Sequence, residues 1–144
     1  MSSRLRRVRR LVELGEDAMK AARASAAAAA RAVADSRRQA ERDEHAWSEA
    51  AQRFGTGVSR ASDLDEQAAH LRTLRLRADG TARQLDRAIA EERRCAAAVV
   101  KAAMDHRKLE LWRDRIVAGE REEESRQERR NTDELAARGA RAKP

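Results

Sequence analysis

Proline is missing from this chain except at Pro144, tyrosine is missing altogether, and phenylalanine occurs once, as Phe54, beside two tryptophans, Trp47 and Trp112. No interior position therefore carries the roughly 3 kcal/mol penalty that proline imposes on a helix. With aromatics at 2% of 144 residues, there is too little large side-chain volume to fill a thick globular core. Cysteine occurs once, as Cys95, so no internal disulfide can form and a reducing compartment is expected. No stretch approaches the ~20 consecutive apolar residues of a bilayer-spanning helix. The arginine-rich start is followed by no apolar run of signal type, and Glu13, Glu16 and Asp17 arrive too early for a transit peptide. These absences lead to the expectation of a cytoplasmic protein made without a cleaved leader.

What fills the chain is alanine, arginine, glutamate and leucine, all favourable to helix. Charged residues make up 40%, with a net charge of +7 supplied almost wholly by arginine. A basic balance suits nucleic acid, an anionic membrane or an acidic protein surface. The 25 acids, however, are interspersed among the bases, the pattern of a solvated, charge-laced coiled-coil face.

The first half carries a helical repeat. Alternating steps of three and four from Leu5 reach Val8, Val12, Gly15, Met19, Ala22, Ala26, Ala29, Val33, Ser36, Ala40, Asp43, Trp47, Ala50 and Phe54. Twelve of these fifteen positions are apolar, where the composition of the chain would give about six. A 3.5-residue spacing held this long is a coiled-coil seam. The second half repeats the stepping through Leu64, Leu71, Leu74, Ala78, Leu85, Ala88, Cys95, Val99, Ala102, His106 and Leu109, interrupted by Glu92. Trp112 and Ile116 continue it after a local stutter.

Between the halves, Phe54-Gly55-Thr56-Gly57 is a helix stop and Ser59 to Asp63 a helix start. Gly55 or Gly57 suits the left-handed C-cap conformation, and Ser62 or Asp63 the next N-cap. The expected fold is all-α: an antiparallel two-helix coiled-coil hairpin over residues 1–118. Its helices run about 4–54 and 63–118 around a loop at 55–62. Residues 119–144 form a charged helical extension that frays from Arg138. A turn centred near residue 58 pairs Trp47 with His70, Met19 with Ala98 and Leu5 with Trp112.

No catalytic constellation is present in the sequence. Gly55-Thr56-Gly57 lacks both a third glycine and a phosphate-loop lysine. His45, His70 and His106 have no metal-ligand spacing, and Cys95 falls on the seam as an inert thiol. No cofactor, metal, small-molecule substrate or enzymatic activity is expected. Trp47, Phe54 and Trp112 are large for so slim a seam; they read as core packing at helix ends or as anchors for a partner.

A basic start, Leu5-Arg6-Arg7-Val8-Arg9-Arg10-Leu11, runs into Glu16-Asp17, and the charged close reads Glu128-Arg129-Arg130-Asn131-Thr132-Asp133-Glu134-Leu135-Ala136. Together with the hairpin, these resemble the FliJ/YscO (SctO) family of flagellar and virulence-type type III secretion systems. The resemblance implies a non-catalytic central stalk. Its paired ends enter a hexameric secretion ATPase and stimulate it, its loop end faces the export gate protein at the inner membrane, and some members also escort secretion chaperones. It would place ATPase contacts at Arg4, Arg6, Arg7, Arg9, Arg10, Asp133, Glu134 and Leu135. Gate contacts would fall at Trp47 and Phe54. The alternatives are a generic coiled-coil scaffold or chaperone, or a basic nucleic-acid-binding helical protein, against which the lack of aromatic stacking platforms counts.

Overall fold

The computed structural model describes residues 1–142. It consists of two long α-helices packed against each other, α1 (Ser3–Gln52) and α2 (Ala61–Arg141), an all-α helical hairpin. The chain divides into two compact units, one of Ala21–Val100 and one of Met1–Lys20 with Lys101–Pro144. Each contains one stretch of α1 and one of α2. Lys143 and Pro144, the last residues of the expected tail, lie outside the described residues.

The seam of α1 follows the sequence closely. Every position of the repeat from Leu5 to Ala50 is buried or half-buried, while Phe54 is 46% exposed. Phe54 drops out because α1 has already ended at Gln52. Gly55 and Gly57 then take φ values of +85° and +72°, the left-handed region that glycine enters without steric cost.

In α2 the repeat is more regular than apolarity suggests. In the unit that holds the turn, Gln67, Leu71, Leu74, Ala78, Thr81, Leu85, Ala88, Glu92, Cys95 and Val99 are buried or half-buried. In the other unit the same steps of three and four reach Ala102, His106, Leu109, Arg113, Ile116 and Glu120. There is thus no stutter after Leu109. Arg113 holds the seam position with its aliphatic stem, while Trp112, one residue earlier, is 41% exposed. Glu92 likewise continues the stripe instead of interrupting it, and Leu64 lies outside it, 38% exposed.

The pairing register also differs from a turn centred at residue 58. Arg75 of α2 meets Glu44 of α1 at 2.8 Å, and Leu5, Val8, Val12 and Ile116 form one buried cluster against Leu109 and Val117. These partners lie a few residues further along α2 than a symmetric turn would put them. The reason is at the loop. Gln67 accepts a hydrogen bond from the Gly55 N–H at 2.8 Å and donates one to the Thr56 carbonyl at 3.1 Å. The first turn and a half of α2 is thereby used to close the loop, and cross-helix pairing begins only at Gln67. Asp63 sits inside the helix rather than at its cap. Its Oδ2 accepts from the backbone N–H of Arg60 at 3.0 Å and of Ser59 at 3.2 Å, reaching back as the third residue of a capping box does.

Beyond residue 118 the helix does not break. Gly119 lies within α2, which continues to Arg141. Among the described residues past Glu120 only Ser125 is even half-buried. The i,i+4 pair Glu122–Arg126 forms at 3.4 Å. At Gly15 the helices approach closely: a Cβ there would lie 3.2 Å from both His106 Cδ2 and Leu109 Cδ1.

Candidate interaction surfaces

The unit that carries the chain ends is organised by Ser2. Its Oγ accepts the Leu5 N–H at 3.0 Å, capping α1, and donates to the Glu120 carboxylate of α2. One side chain therefore caps the first helix and ties it to the second. In the sequence Ser2 is marked only by its place before a helical run, which is a capping signal.

Arg4, Arg6, Arg7, Arg9 and Arg10 occupy the first turns of α1 and all are exposed. The first turn contains no acidic residue. Cations at a helix N-terminus oppose the macrodipole, each by a few tenths of a kcal/mol. Among the described residues only Arg10 of these five finds a carboxylate, Glu13 at 3.3 Å; Arg9 donates to Met1 Sδ at 2.9 Å. A local conflict of this kind marks a place shaped for something other than the stability of the free helix.

Asp133, Glu134 and Leu135 are exposed, Leu135 by 67%. They belong to the stretch of α2 that has passed the start of α1, about 20 Å beyond Glu120 at 1.5 Å per residue. The arginines and this acidic segment thus share one unit but stand at different levels of α2. Glu120, not Asp133, is the acid that meets the start of α1.

In the unit that holds the turn, Trp47 is half-buried and roofed by Arg75, whose guanidinium carbon lies 4.7 Å from the ring centroid. Arg75 also bonds Glu44 at 2.8 Å and Asp79 at 2.9 Å, and its pKa is raised, first by the hydrogen bond to Glu44 and then by that to Asp79. Trp47 is therefore occupied within the hairpin, whereas Phe54 on the loop is open. Of the two aromatics expected to meet a partner at this end, Phe54 is the more exposed.

Among the described residues, Asp43 and His106 on the seam each hold one buried polar atom without a hydrogen-bond partner. Asp43 is 7% exposed; its Oδ1 accepts from Gln39 at 3.0 Å while its Oδ2 is buried with no hydrogen bond. His106 has a buried Nε2 in the same condition. Cys95 is half-buried, and its thiol pKa is raised, first by desolvation and then by the Glu91 carboxylate 3.6 Å away. His45 pairs with Glu49 at 3.3 Å. Among the described residues no group of three or more His, Cys, Asp or Glu could hold a metal ion, and no helix is long and apolar enough to cross a membrane.

No family model, curated protein or solved structure matches this chain.

Proposed function

We propose that this protein is the central stalk of a type III secretion export apparatus, binding and stimulating a hexameric secretion ATPase through the end that carries its termini and linking that ATPase to the export gate through its loop. The resemblance of the two ends to the FliJ/YscO family is the origin of this reading. The observation that carries it furthest is the asymmetry of the helices. α2 runs on to Arg141 as an exposed, charge-rich helix after α1 has begun at Ser3. A helical stretch without a packed face lacks the tertiary contacts from which most helical stability comes. A charged sleeve around it would stabilise it by mass action.

The arginines of α1 support the same end. They oppose the helix dipole in the free protein and would be relieved by acidic groups on a partner. Two packed helices measure about 20 Å across, a width compatible with the channel of a hexameric ring. A single asymmetric stalk cannot touch six subunits alike, so it would bias them toward different conformations. On this reading the protein is non-catalytic, works in the cytoplasm beside the inner membrane, and uses Phe54 rather than Trp47 toward the gate. The alternative is a scaffold or secretion chaperone, which would bind partners without altering ATP turnover.

Titrating the protein into its type III secretion ATPase tests the proposal by ATP hydrolysis and ring assembly. Stimulation that disappears when residues 121–144 are removed, or when Arg4, Arg6, Arg7, Arg9 and Arg10 become glutamine, is expected. An unchanged rate with a folded hairpin would favour the scaffold.

A further inference from the structure

The residues one step before each seam position form a second stripe on each helix. On α1 it reads Arg4, Arg7, Leu11 and Leu14, preceding Leu5, Val8, Val12 and Gly15. On α2 it reads Lys101, Asp105, Lys108, Trp112 and Arg115, preceding Ala102, His106, Leu109, Arg113 and Ile116. All of these positions lie in the unit made of Met1–Lys20 and Lys101–Pro144. In an antiparallel pair, the stripes that precede the two seams turn to the same side of the helix pair, about 100° from each seam. The shared groove agrees: Arg4 of α1 and Trp112, Arg115, Gly119, Glu120 and Glu123 of α2 line one open trough of about 500 Å³.

This face differs from the opposite one in both charge and apolarity. It carries five cations, Arg4, Arg7, Lys101, Lys108 and Arg115, against the acids Asp105, Glu120 and Glu123; of these, Glu123 is paired with Arg126 at 3.9 Å and Glu120 accepts from the Ser2 hydroxyl. Among the described residues none of the five is in an ion pair. The other side is mostly paired, through Arg10–Glu13 at 3.3 Å, Lys20–Glu16 at 3.5 Å and Arg107–Glu110 at 3.3 Å, while among the described residues its Arg6 and Arg9 lack a carboxylate. The basic face also exposes Leu11 by 39%, Leu14 by 47% and Trp112 by 41%.

We infer that this face is a docking site for an acidic amphipathic helix of another protein, seated in the trough beside Trp112. A trough between two packed helices is where a third helix fits, ridges into groove. A helix with an apolar stripe covers Leu11 and Trp112, and Glu or Asp on its flanks meets the five unpaired cations. The trough favours a helix over a flat bilayer, which would touch the ridges and leave the groove empty. The inference does not depend on the stalk reading.

The probe is a synthetic 21-residue helical peptide with leucine at a and d positions and glutamate on the flanks. In a Trp47→Phe background Trp112 is the sole indole. Saturable binding with a blue shift of Trp112 emission is expected. It should weaken about tenfold for the Arg4→Glu/Lys108→Glu/Arg115→Glu variant, whose exposed positions leave the fold intact by circular dichroism. A variant of the opposite face, Arg6→Glu/Arg9→Glu, should bind as the parent does. Equal binding by the first triple variant, or no shift with the peptide, would overturn the inference. So would a shift produced only by phosphatidylglycerol vesicles, or by self-association at rising protein concentration.

Discussion

Gly15 and His106 face each other across the seam so closely that a methyl group on Gly15 would stand 3.2 Å from the imidazole Cδ2. At a coiled-coil position a glycine normally weakens the helix, by about 1 kcal/mol relative to alanine. Here the missing side chain lets the two backbones approach. Gly15→Ala should therefore change stability by less than about 1 kcal/mol, because the gain in helix propensity is offset by crowding. Gly15→Leu should lower it by about 2 kcal/mol through overpacking. Thermal unfolding monitored at 222 nm distinguishes these. A stabilising Gly15→Leu would show that the helices are not in close contact at this level.

Asp43 is a buried carboxylate with one oxygen bonded to Gln39 and the other unbonded. Burying an unmatched polar oxygen costs about 1–3 kcal/mol, and leucine is the better helix former. Asp43→Leu is expected to raise stability by about 1–3 kcal/mol in urea unfolding, with an unchanged m-value. A loss of stability would mean that Asp43 has an essential partner in the free protein.

The Cys95 thiol is held above its ordinary pKa by desolvation and by Glu91, with Arg94 acting in the opposite direction. A raised pKa means less thiolate at a given pH, and the thiolate is the reactive form. Alkylation at pH 8 should therefore be slower in the folded protein than in urea. Glu91→Gln should speed it and Arg94→Gln should slow it. An alkylation rate indifferent to both substitutions would contradict the geometry around the sulfur.

How far these features could be read from the sequence depended on how each position is held. The α1 seam was legible because its apolar residues are spaced without competition. The α2 seam was harder, because Gln67, Thr81, Glu92 and Arg113 occupy seam positions by burying their stems, and apolarity does not flag them. Trp112 stands out by size, but the periodicity continues through Arg113. The register was missed because it depends on how Gln67 closes the loop, a contact between a side chain and a backbone twelve residues away. The C-terminal run was expected as a separate piece because Gly119 resembles a stop. Yet glycine costs a helix interior only about 1 kcal/mol, and the turns on either side carry it. Of the candidate binding residues, the exposed arginines were legible from composition. That Arg75 occupies Trp47 was not, because the pair lies in different helices.

Both the proposed partner surfaces and the close approach at Gly15 require that the chain pair with itself in this register. A Cβ at residue 15 would lie 3.7 Å from the His106 Cα, a separation compatible with a disulfide. The most direct measurement is oxidation of the Gly15→Cys/His106→Cys variant in a Cys95→Ala background. The predicted result is a disulfide within one chain, migrating as a monomer on a non-reducing gel and raising the melting temperature relative to the reduced form. Closing a loop of about 90 residues contributes up to about 4 kcal/mol. Disulfide-linked dimers as the main product, or no disulfide under oxidation, would contradict the account.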